Sequence, residues 1–416
     1  MVLNLIVSML SARFLGPSNY GLISYAGSIV AFVLPIMFLG LKATLVQELK
    51  ENPDKEGMVM GTSLGLTVPA SLLSMIAVVG FVFLVDHDEN TTIIVCAIYS
   101  VSLLFQATEV VSFWFQSRLL SKYPAVLKIL ACVIVSVYKI TILVQQKSVF
   151  WFAAVNAIDH FLISIFLLVS FFVVGKQKLS FSFDFAKKML SKSKYYILSG
   201  VLVMVFQQTD RLMLKNMSNT EMTGFYTVAV ACVNIFGFVY IAIVDSFRPI
   251  VLESRNKSIE EYENLLIKLY SLIFYISLMQ GLATTIVAKP MIYLMYGTEY
   301  LPAVMPLQIV VWYVAYSYMG SVRNIWILGE NKHKLIVLID ITGAVMNVVL
   351  NLILIPKFAA VGAAVASLVT QFFINFVLGF IIPSLRPNNR LLLKGMNPKY
   401  AFLQVKSMLK KKKLDT

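Results

Sequence analysis

Residues 149–174 read VFWFAAVNAIDHFLISIFLLVSFFVV, a run with Asp159 and His160 near its middle and no Lys or Arg. A helix that crosses a bilayer needs about 20 mostly apolar residues, because each residue adds about 1.5 Å toward a hydrocarbon core of about 30 Å. The apolar residues are continuous and do not alternate with period two, which indicates a helix rather than a barrel strand. This stretch predicts a membrane-spanning helix.

Similar runs fill the chain. It has 416 residues, of which 59% are hydrophobic and 13% charged, and its mean hydropathy is +0.81. Soluble proteins average roughly 45–50% apolar and about 25% charged residues. This composition excludes a cytosolic enzyme, a disordered chain, a secreted disulfide scaffold and an ordinary DNA-binding protein. Spans are predicted at about 20–45, 58–85, 91–116, 124–144, 149–174, 195–215, 220–250, 265–288, 302–328, 335–355 and 360–382.

Residues 1–12 form a twelfth apolar segment that is too short to span a membrane. We interpret it as part of a first helix that is short or truncated. The sequence therefore predicts an all-α polytopic membrane protein with about twelve transmembrane helices.

The net charge of +14 reflects the predicted orientation. Most Lys and Arg fall in segments on one side of the predicted spans, which by the positive-inside rule is the cytoplasm. Both termini are then cytoplasmic, and the charge is a topology signal rather than a footprint for nucleic acid. The opposite side holds only Arg13, Lys147, Lys215, Lys289 and Lys357.

The long basic segment 175–194 divides the predicted helices into six and six. GLISYA at residues 21–26 aligns with GFYTVA at 224–229, which suggests two pseudo-equivalent six-helix bundles in the same orientation. The predicted organisation is an N-terminal bundle, a cytoplasmic linker, a C-terminal bundle and a basic cytoplasmic tail, at 1–174, 175–194, 195–382 and 383–416.

Charged residues inside the predicted spans are the main functional signal. A charge at the bilayer centre costs at least ~2.5–3.5 kcal/mol, so such groups normally face a bundle interior or an aqueous cavity. The embedded cations are Lys42, Lys128, Lys139, Arg211, Arg248 and Arg323, and the acids and histidine are Glu109, Asp159, His160, Asp210, Asp245 and Asp340.

Two roles suit these residues. The cations suit an anionic substrate group such as phosphate, whereas the acids and His160 suit coupling to H⁺ or Na⁺. Structural alternatives remain for each group. Lys42 and Lys128 could snorkel to the membrane interface, and Arg323 could anchor a helix there. Asp245 with Arg248, Asp210 with Arg211, and Asp159 with His160 could each form a local pair. Asp340 could interact with the dipole at the start of its helix.

The sequence lacks catalytic and cofactor motifs. Cys96, Cys132 and Cys232 lie in apolar runs without disulfide or metal-ligand spacing. There is no phosphate-binding glycine loop, HExxH or GxSxG. We predict that the protein is not an enzyme and uses no cofactor or metal. Transport would then draw on an ion gradient or on downhill removal of the substrate.

Three motifs resemble one family. ARFLGPSNYG at residues 12–21 resembles the "aRyLGpxxyG" hallmark between the first two helices of Wzx-type polysaccharide exporters, the O-antigen flippases. TDRLML at 209–214, with TGFY at 223–226, is similar to the start of the second half in that family. AVGAAVAS at 360–367 is similar to the opening of its last helix.

This resemblance implies the fold of the multidrug/oligosaccharidyl-lipid/polysaccharide flippase superfamily. It also implies transport of a polyprenyl-diphosphate-linked oligosaccharide across the bacterial plasma (inner) membrane, for O-antigen and lipopolysaccharide, capsule or exopolysaccharide. A cationic cavity would bind the substrate, and alternating access would carry it across the membrane. Arg13, Asp210 and Arg211 match the motifs of the family by position. The expected partners are this substrate, membrane lipid, H⁺ or Na⁺, and polysaccharide polymerase and chain-length machinery.

Two other function classes remain open at this stage. A cation-coupled multidrug extruder of the same superfamily would need an acidic aromatic pocket, whereas the inner embedded charges here are net basic. A membrane scaffold without transport activity would have every embedded charge paired. A peptidoglycan-precursor flippase of this superfamily is expected to have fourteen helices, which twelve spans disfavour.

Overall fold

The computed structural model describes residues 2–175 and 178–399, without the side chains of residues 2–4 and 43. Nearly all of these residues are helical, and no strand occurs within the described ranges. The predicted all-α fold is confirmed. The helices of the first half are α1 (Val2–Met37), α2 (Leu41–Glu51), α3 (Glu56–Val85), α4 (Asn90–Ser100), α5 (Ser102–Gln106), α6 (Val111–Ser117), α7 (Lys122–Val144) and α8 (Val149–Gly175).

The second half continues with long helices and ends in shorter ones. A π-helical turn at Phe373–Val377 follows the longest of them. The helices are α9 (Phe183–Met217), α10 (Thr220–Asn234), α11 (Gly237–Ser254), α12 (Ile259–Tyr296), α13 (Val304–Gly329), α14 (Lys334–Phe372), α15 (Leu378–Ile381) and α16 (Arg386–Met396).

Among the described residues, nine helical stretches are long and apolar enough to cross a membrane, and the bent pair α10–α11 makes a tenth. The axes of that pair differ by 47°. Two of the ten contain a sharp break: α1 at Gly16, where φ is 69°, and α14 at Ala359, where φ is 46°. Each broken helix combines two predicted segments, so the described chain carries the twelve helical segments expected from the sequence.

The break in α1 has a local cause. Glycine adopts positive φ without a steric penalty, and the following Pro17 has no backbone N–H to donate to the helix. The short predicted first helix is therefore the part of α1 before Gly16.

The chain divides into two compact units. The first contains residues 1–215 with 219–224, and the second contains 216–218 with 225–416. Helix α9, which the sequence repeat assigns to the second half, therefore lies almost entirely in the first unit. The predicted division at 175–194 concerned the repeat and stays a prediction.

Helix α9 begins at Phe183, earlier than the predicted span at 195. Its first turns bury Phe185, Ala186 and Met189 on one face, and the Ser182 hydroxyl accepts a hydrogen bond from the Phe185 N–H. Lysines occupy much of the remaining surface. This amphipathic pattern continues the helix beyond the fully apolar stretch that marks a membrane span.

The aligned glycines of the predicted repeat meet within the first unit. A methyl group on Gly21 would collide with the Thr220 carbonyl oxygen and lie 2.7 Å from the Gly224 nitrogen, and one on Gly224 would collide with the Pro17 carbonyl. The Ser18 and Thr220 hydroxyls share a hydrogen bond of 2.8 Å beside them. Small residues allow helix backbones to approach this closely in membranes.

Candidate functional site

Four ionisable side chains of the first unit form what we call the basic cluster: Lys42, Glu109, Lys128 and His160. Glu109 lies on a 3₁₀ turn, Ala107–Val110, that interrupts the membrane span between α5 and α6. One carboxylate oxygen is 3.0 Å from His160 Nδ1, and the other is 3.6 Å from Lys128 Nζ. The histidine contact is at ion-pair distance but lacks the alignment of a hydrogen bond.

Lys42 completes the basic cluster from the start of α2. Its ammonium lies 3.9 Å from the centre of the Phe38 ring, and its main charged neighbours are Glu109 and Lys128. Within the described residues no carboxylate comes within 4.0 Å of Lys42 Nζ. Three basic side chains therefore share one acid, and both lysines are exposed. The arrangement leaves positive charge available for an anion.

An apolar cleft of about 360 Å³ adjoins the basic cluster in the same unit. It lies between the C-terminal end of α1 and helix α9, with Lys42 among its lining residues. Leu34, Phe38, Val203 and Met204 supply apolar walls. A cation thus borders an apolar surface.

Asp159 and His160 do not pair with each other. They are consecutive on α8, so their side chains leave the helix in different directions. His160 faces Glu109, whereas Asp159 faces a separate cavity shared with Lys139. The predicted mid-membrane pair is thus divided between two sites.

Asp210, Arg211 and Arg13 lie apart from the basic cluster in sequence. Asp210 is buried on α9, and Arg211 donates a hydrogen bond of 3.0 Å to the Gln208 side-chain oxygen. Arg13 is exposed near the break in α1.

The predicted site residues of the second unit have local partners. Arg248 and Asp245 form an ion pair of 3.4 Å one helical turn apart, and both side chains are more than half exposed. Their arrangement matches the local-pair alternative. Asp340 is half-buried on α14, with Arg323 as its main charged neighbour.

Arg323 is buried in the second unit and bound by neutral groups. Its guanidinium donates hydrogen bonds of 2.8 Å to the Ile374 carbonyl and to the Asn375 side-chain oxygen. Both acceptors belong to the π-helical turn, where the regular backbone hydrogen-bonding pattern is interrupted. No carboxylate lies within 4.0 Å of Arg323 in the part of the chain that the structure describes.

The structure adds a network that the sequence analysis did not predict. Lys215, counted there among the outer basic residues, is buried at the end of α9 and pairs with Asp86 and, at 3.0 Å, with Glu89. The Tyr25 hydroxyl donates a hydrogen bond of 2.8 Å to Asp86. We call these four residues the Lys215 network. The acidic segment DHDEN at 86–90 was a signal that could have indicated a cationic partner.

A second unpredicted network surrounds Glu56. Arg118 donates two hydrogen bonds of 2.8 Å to its two carboxylate oxygens, and the Trp114 indole donates a third of 2.9 Å. The Arg118 pKa is raised because Glu56 accepts these bonds. No group of three acidic, His or Cys side chains that could hold a metal occurs among the described residues.

Comparisons with known proteins place the chain in a family. The family model described as "Polysaccharide biosynthesis protein" matches residues 1–254. The chain belongs to this family. A comparison with curated proteins found no match.

Solved structures share the fold of this family member. An inward-facing multidrug resistance MATE family transporter of the MOP superfamily has a TM-score of 0.73 at 13% identity, over 94% of this chain and 95% of that one. The lipid II flippase MurJ has a TM-score of 0.67 at 15% identity, over 95% and 87%.

A third similar structure is a MOP superfamily transporter from Pyrococcus furiosus, described as having a binding pocket of reverse polarity. Its TM-score is 0.57 at 12% identity, over 94% of this chain and 92% of that one. At these identities the likeness establishes the fold alone. The family and the apolar helices support a multi-pass membrane protein of a polysaccharide biosynthesis family, and the similar structures are themselves described as transporters and a flippase.

Proposed function

We propose that this protein flips a polyprenyl-diphosphate-linked oligosaccharide repeat unit across the bacterial plasma membrane. The product would supply O-antigen and lipopolysaccharide, capsule or exopolysaccharide synthesis, with a polymerase and chain-length machinery acting next. The carrying observation is the basic cluster, in which three basic side chains share one acid beside an apolar cleft. A diphosphate joined to an isoprenoid needs this combination of positive charge and apolar surface.

Lys42 and Lys128 are the main predicted diphosphate contacts. Both ammonium groups are accessible, and neither is saturated by its protein neighbours. Lysine is a common phosphate ligand because its compact charge can approach an oxygen from several directions. The first isoprene units would lie along the adjoining cleft. The other predicted cations would contribute less, because they already have protein partners or lie apart from the cluster in sequence: Arg13, Arg211, Arg248 and Arg323.

Glu109 and His160 are the proposed proton-responsive pair. A change in the protonation of either side chain alters the charge that the basic cluster presents to the diphosphate. Proton gain strengthens and proton loss weakens the attraction of the cluster for the diphosphate, so coupling to H⁺ would control binding and release of the substrate during alternating access. The remaining predicted coupling residues, for H⁺ or for Na⁺, are Asp159, Asp210, Asp245 and Asp340.

The test is a flipping assay on the full chain in proteoliposomes. The probe is a polyprenyl-diphosphate disaccharide with a fluorophore on the sugar, and a membrane-impermeant reductant bleaches only the copies in the outer leaflet. We expect Lys42→Gln with Lys128→Gln to slow flipping about tenfold, which corresponds to about 1.4 kcal/mol.

The matched control is Lys122→Gln, an exposed lysine at the start of the same helix as Lys128. It removes one positive charge outside the basic cluster, against two in the double variant, and should leave the rate unchanged. The proposal is wrong if the double variant flips the probe as fast as this control. Extrusion of a cationic dye without flipping of the probe would instead favour a multidrug extruder.

A further inference from the structure

A cavity of about 390 Å³ lies inside the first unit, between helices α1, α4, α7 and α8. None of the four members of the basic cluster lines it. Its walls are unusually polar for the interior of a membrane bundle. The hydrogen-bonding side chains that line it are Ser8, Ser11, Tyr20, Tyr99, Lys139, Asn156 and Asp159.

Three of these polar side chains converge on the cavity without a protein partner. Asn156 and Asp159 are one turn apart on α8 and share a face, and Lys139 enters from α7. Across the described ranges, none of the three has a side-chain hydrogen bond or an ion pair within 4.0 Å. Leaving charges unsatisfied at membrane depth costs several kcal/mol. A polar ligand in the cavity would satisfy them.

The charges of the cavity select the kind of ligand. Lys139 opposes a second cation and Asp159 opposes an anion; Asp159 is the main opposite charge of Lys139, whereas Asp159 is influenced by His160 as well as by Lys139. A neutral ligand rich in hydroxyl groups suits both. Its hydroxyls donate to the Asp159 carboxylate and accept from the Lys139 ammonium, while the Asn156 amide does either.

The apolar lining and the size agree with a sugar ring. Tyr20, Tyr99 and Phe152 supply aromatic surface for the C–H face of a pyranose. The volume lies at the small end of the range for ligand pockets, roughly 300–1,000 Å³. Such a cavity suits one or two sugar rings rather than a whole repeat unit.

We propose that this cavity is a saccharide subsite that binds an uncharged sugar ring of the transported oligosaccharide. The assignment rests on the proposed flipping of a lipid-linked saccharide. The basic cluster and the cavity share helices α7 and α8, with Lys128 and Lys139 about 16 Å apart along α7 at 1.5 Å per residue. One substrate therefore reaches both, with its diphosphate at the basic cluster and a sugar in the subsite.

Cys132 provides a native reporter for the test. It lines the cavity and is half-buried, whereas Cys96 and Cys232 are almost fully buried elsewhere. The full chain in proteoliposomes is treated with a small water-soluble methanethiosulfonate reagent, and peptide mass spectrometry measures labelling of each cysteine. Methyl glycosides of neutral hexoses, of N-acetylhexosamines and of hexuronic acids are added at millimolar concentration, with mannitol as the acyclic control.

We expect Cys132 to be labelled and at least one neutral glycoside to slow its labelling about fivefold, a change of about 1 kcal/mol. Hexuronic acids and mannitol should protect less, because one adds a charge beside Asp159 and the other lacks the ring. Lys139→Met and Asp159→Asn should each abolish protection. Val137→Ala, which alters an exposed residue on the same helix, should retain it.

Two results would overturn the subsite. Labelling at one rate with every glycoside means a water-filled cavity without sugar affinity, and no labelling of Cys132 means a cavity closed to dissolved ligands. The flipping assay separates the two proposals. Intact flipping without glycoside protection removes the subsite alone, whereas protection without flipping removes the proposed function and leaves a sugar-binding cavity.

Discussion

The Lys215 network and the basic cluster use the same residue types in opposite ways within one unit. The Lys215 side chain is 4% exposed and meets two carboxylates, one of which also accepts a hydrogen bond from Tyr25. In the basic cluster, Lys42 and Lys128 are exposed and share Glu109 with His160. Lys215 is thus surrounded by acids, whereas Lys42 and Lys128 share a single acid.

This difference distinguishes a structural charge from a ligand-binding one. A buried lysine needs neighbours that neutralise it, because an isolated ion in a medium of low dielectric is costly. Once saturated, it has little to offer an anion. An accessible lysine with an incomplete set of acids retains both charge and hydrogen-bond donors for a ligand. We therefore expect the Lys215 network to control stability and the basic cluster to control substrate binding.

The largest predicted effect is on stability. Lys215→Met leaves the buried Asp86 without its cation, and breaking a buried pair in this way costs about 3–5 kcal/mol. We expect a strong fall in the free energy of unfolding, measured by denaturant titration in detergent. Lys289→Met, which alters an exposed lysine, is the control and should change it by less than about 0.5 kcal/mol.

A double variant sharpens this prediction. Lys215→Met with Asp86→Leu removes both charges, so it should destabilise the protein less than the sum of the two single variants. Additive losses would show that the two residues act independently and that Lys215 does not serve to neutralise Asp86.

An intermediate effect is expected at Glu109. Glu109→Gln removes the one acid of the basic cluster and leaves three basic neighbours without it. Binding of a short-chain polyprenyl diphosphate, measured by calorimetry, should tighten about three- to tenfold, or about 0.7–1.4 kcal/mol. Release should become slower, so flipping falls as affinity rises. Weaker binding in this variant would mean that Glu109 positions the cations rather than competing with the diphosphate.

The smallest effect concerns pH and Glu89, which lies between the spans of α3 and α4. Burial by itself raises the pKa of this carboxyl, but hydrogen bonds from Thr92 and Lys215 outweigh it and hold the pKa below its ordinary value of 4.5. A lowered folded-state pKa stabilises the protein above the ordinary value, and this contribution is lost as pH falls through the folded one.

Stability of the unmodified protein should thus decline on acidification below about pH 4.5, by less than about 1 kcal/mol from this group because the side chain is half exposed. In Glu89→Gln that part of the decline should be missing. Parallel pH curves for the two proteins, measured by thermal unfolding, would contradict the prediction.

Much of the fold was predictable because bilayer thickness imposes a length on each apolar run. The confirmed features are the all-helical class and the twelve segments, including the break at Gly16-Pro17, where the residue types themselves favour it. The break at Ala359 falls between the predicted spans 335–355 and 360–382, but the positive φ of this residue was not predictable, since alanine ordinarily avoids positive φ. The early start of α9 was also missed, because its first turns are amphipathic rather than uniformly apolar.

The candidate site was predictable only as a set of residues. The predicted position of each residue within a membrane span selected Lys42, Glu109, Lys128 and His160 individually. The sequence analysis paired His160 with its neighbour Asp159. Their actual partners come from other helices, and side-chain direction on α8 separates the two residues. Lys215 was placed in an outer segment because it lies near the end of a predicted span. The sequence alone does not reveal whether acids surround a lysine at such a position.

By itself, the sequence determined the helical class, the spans, the family motifs and the presence of charges at membrane depth. These follow from local properties: apolar length, charge and the backbone limits of glycine and proline. Only the tertiary structure decided which charges neutralise each other, as in the Lys215 network, and which are left for a ligand, as in the basic cluster and the Lys139–Asp159 cavity. The reason is that pairing depends on distances of a few ångströms between helices that lie far apart in the chain.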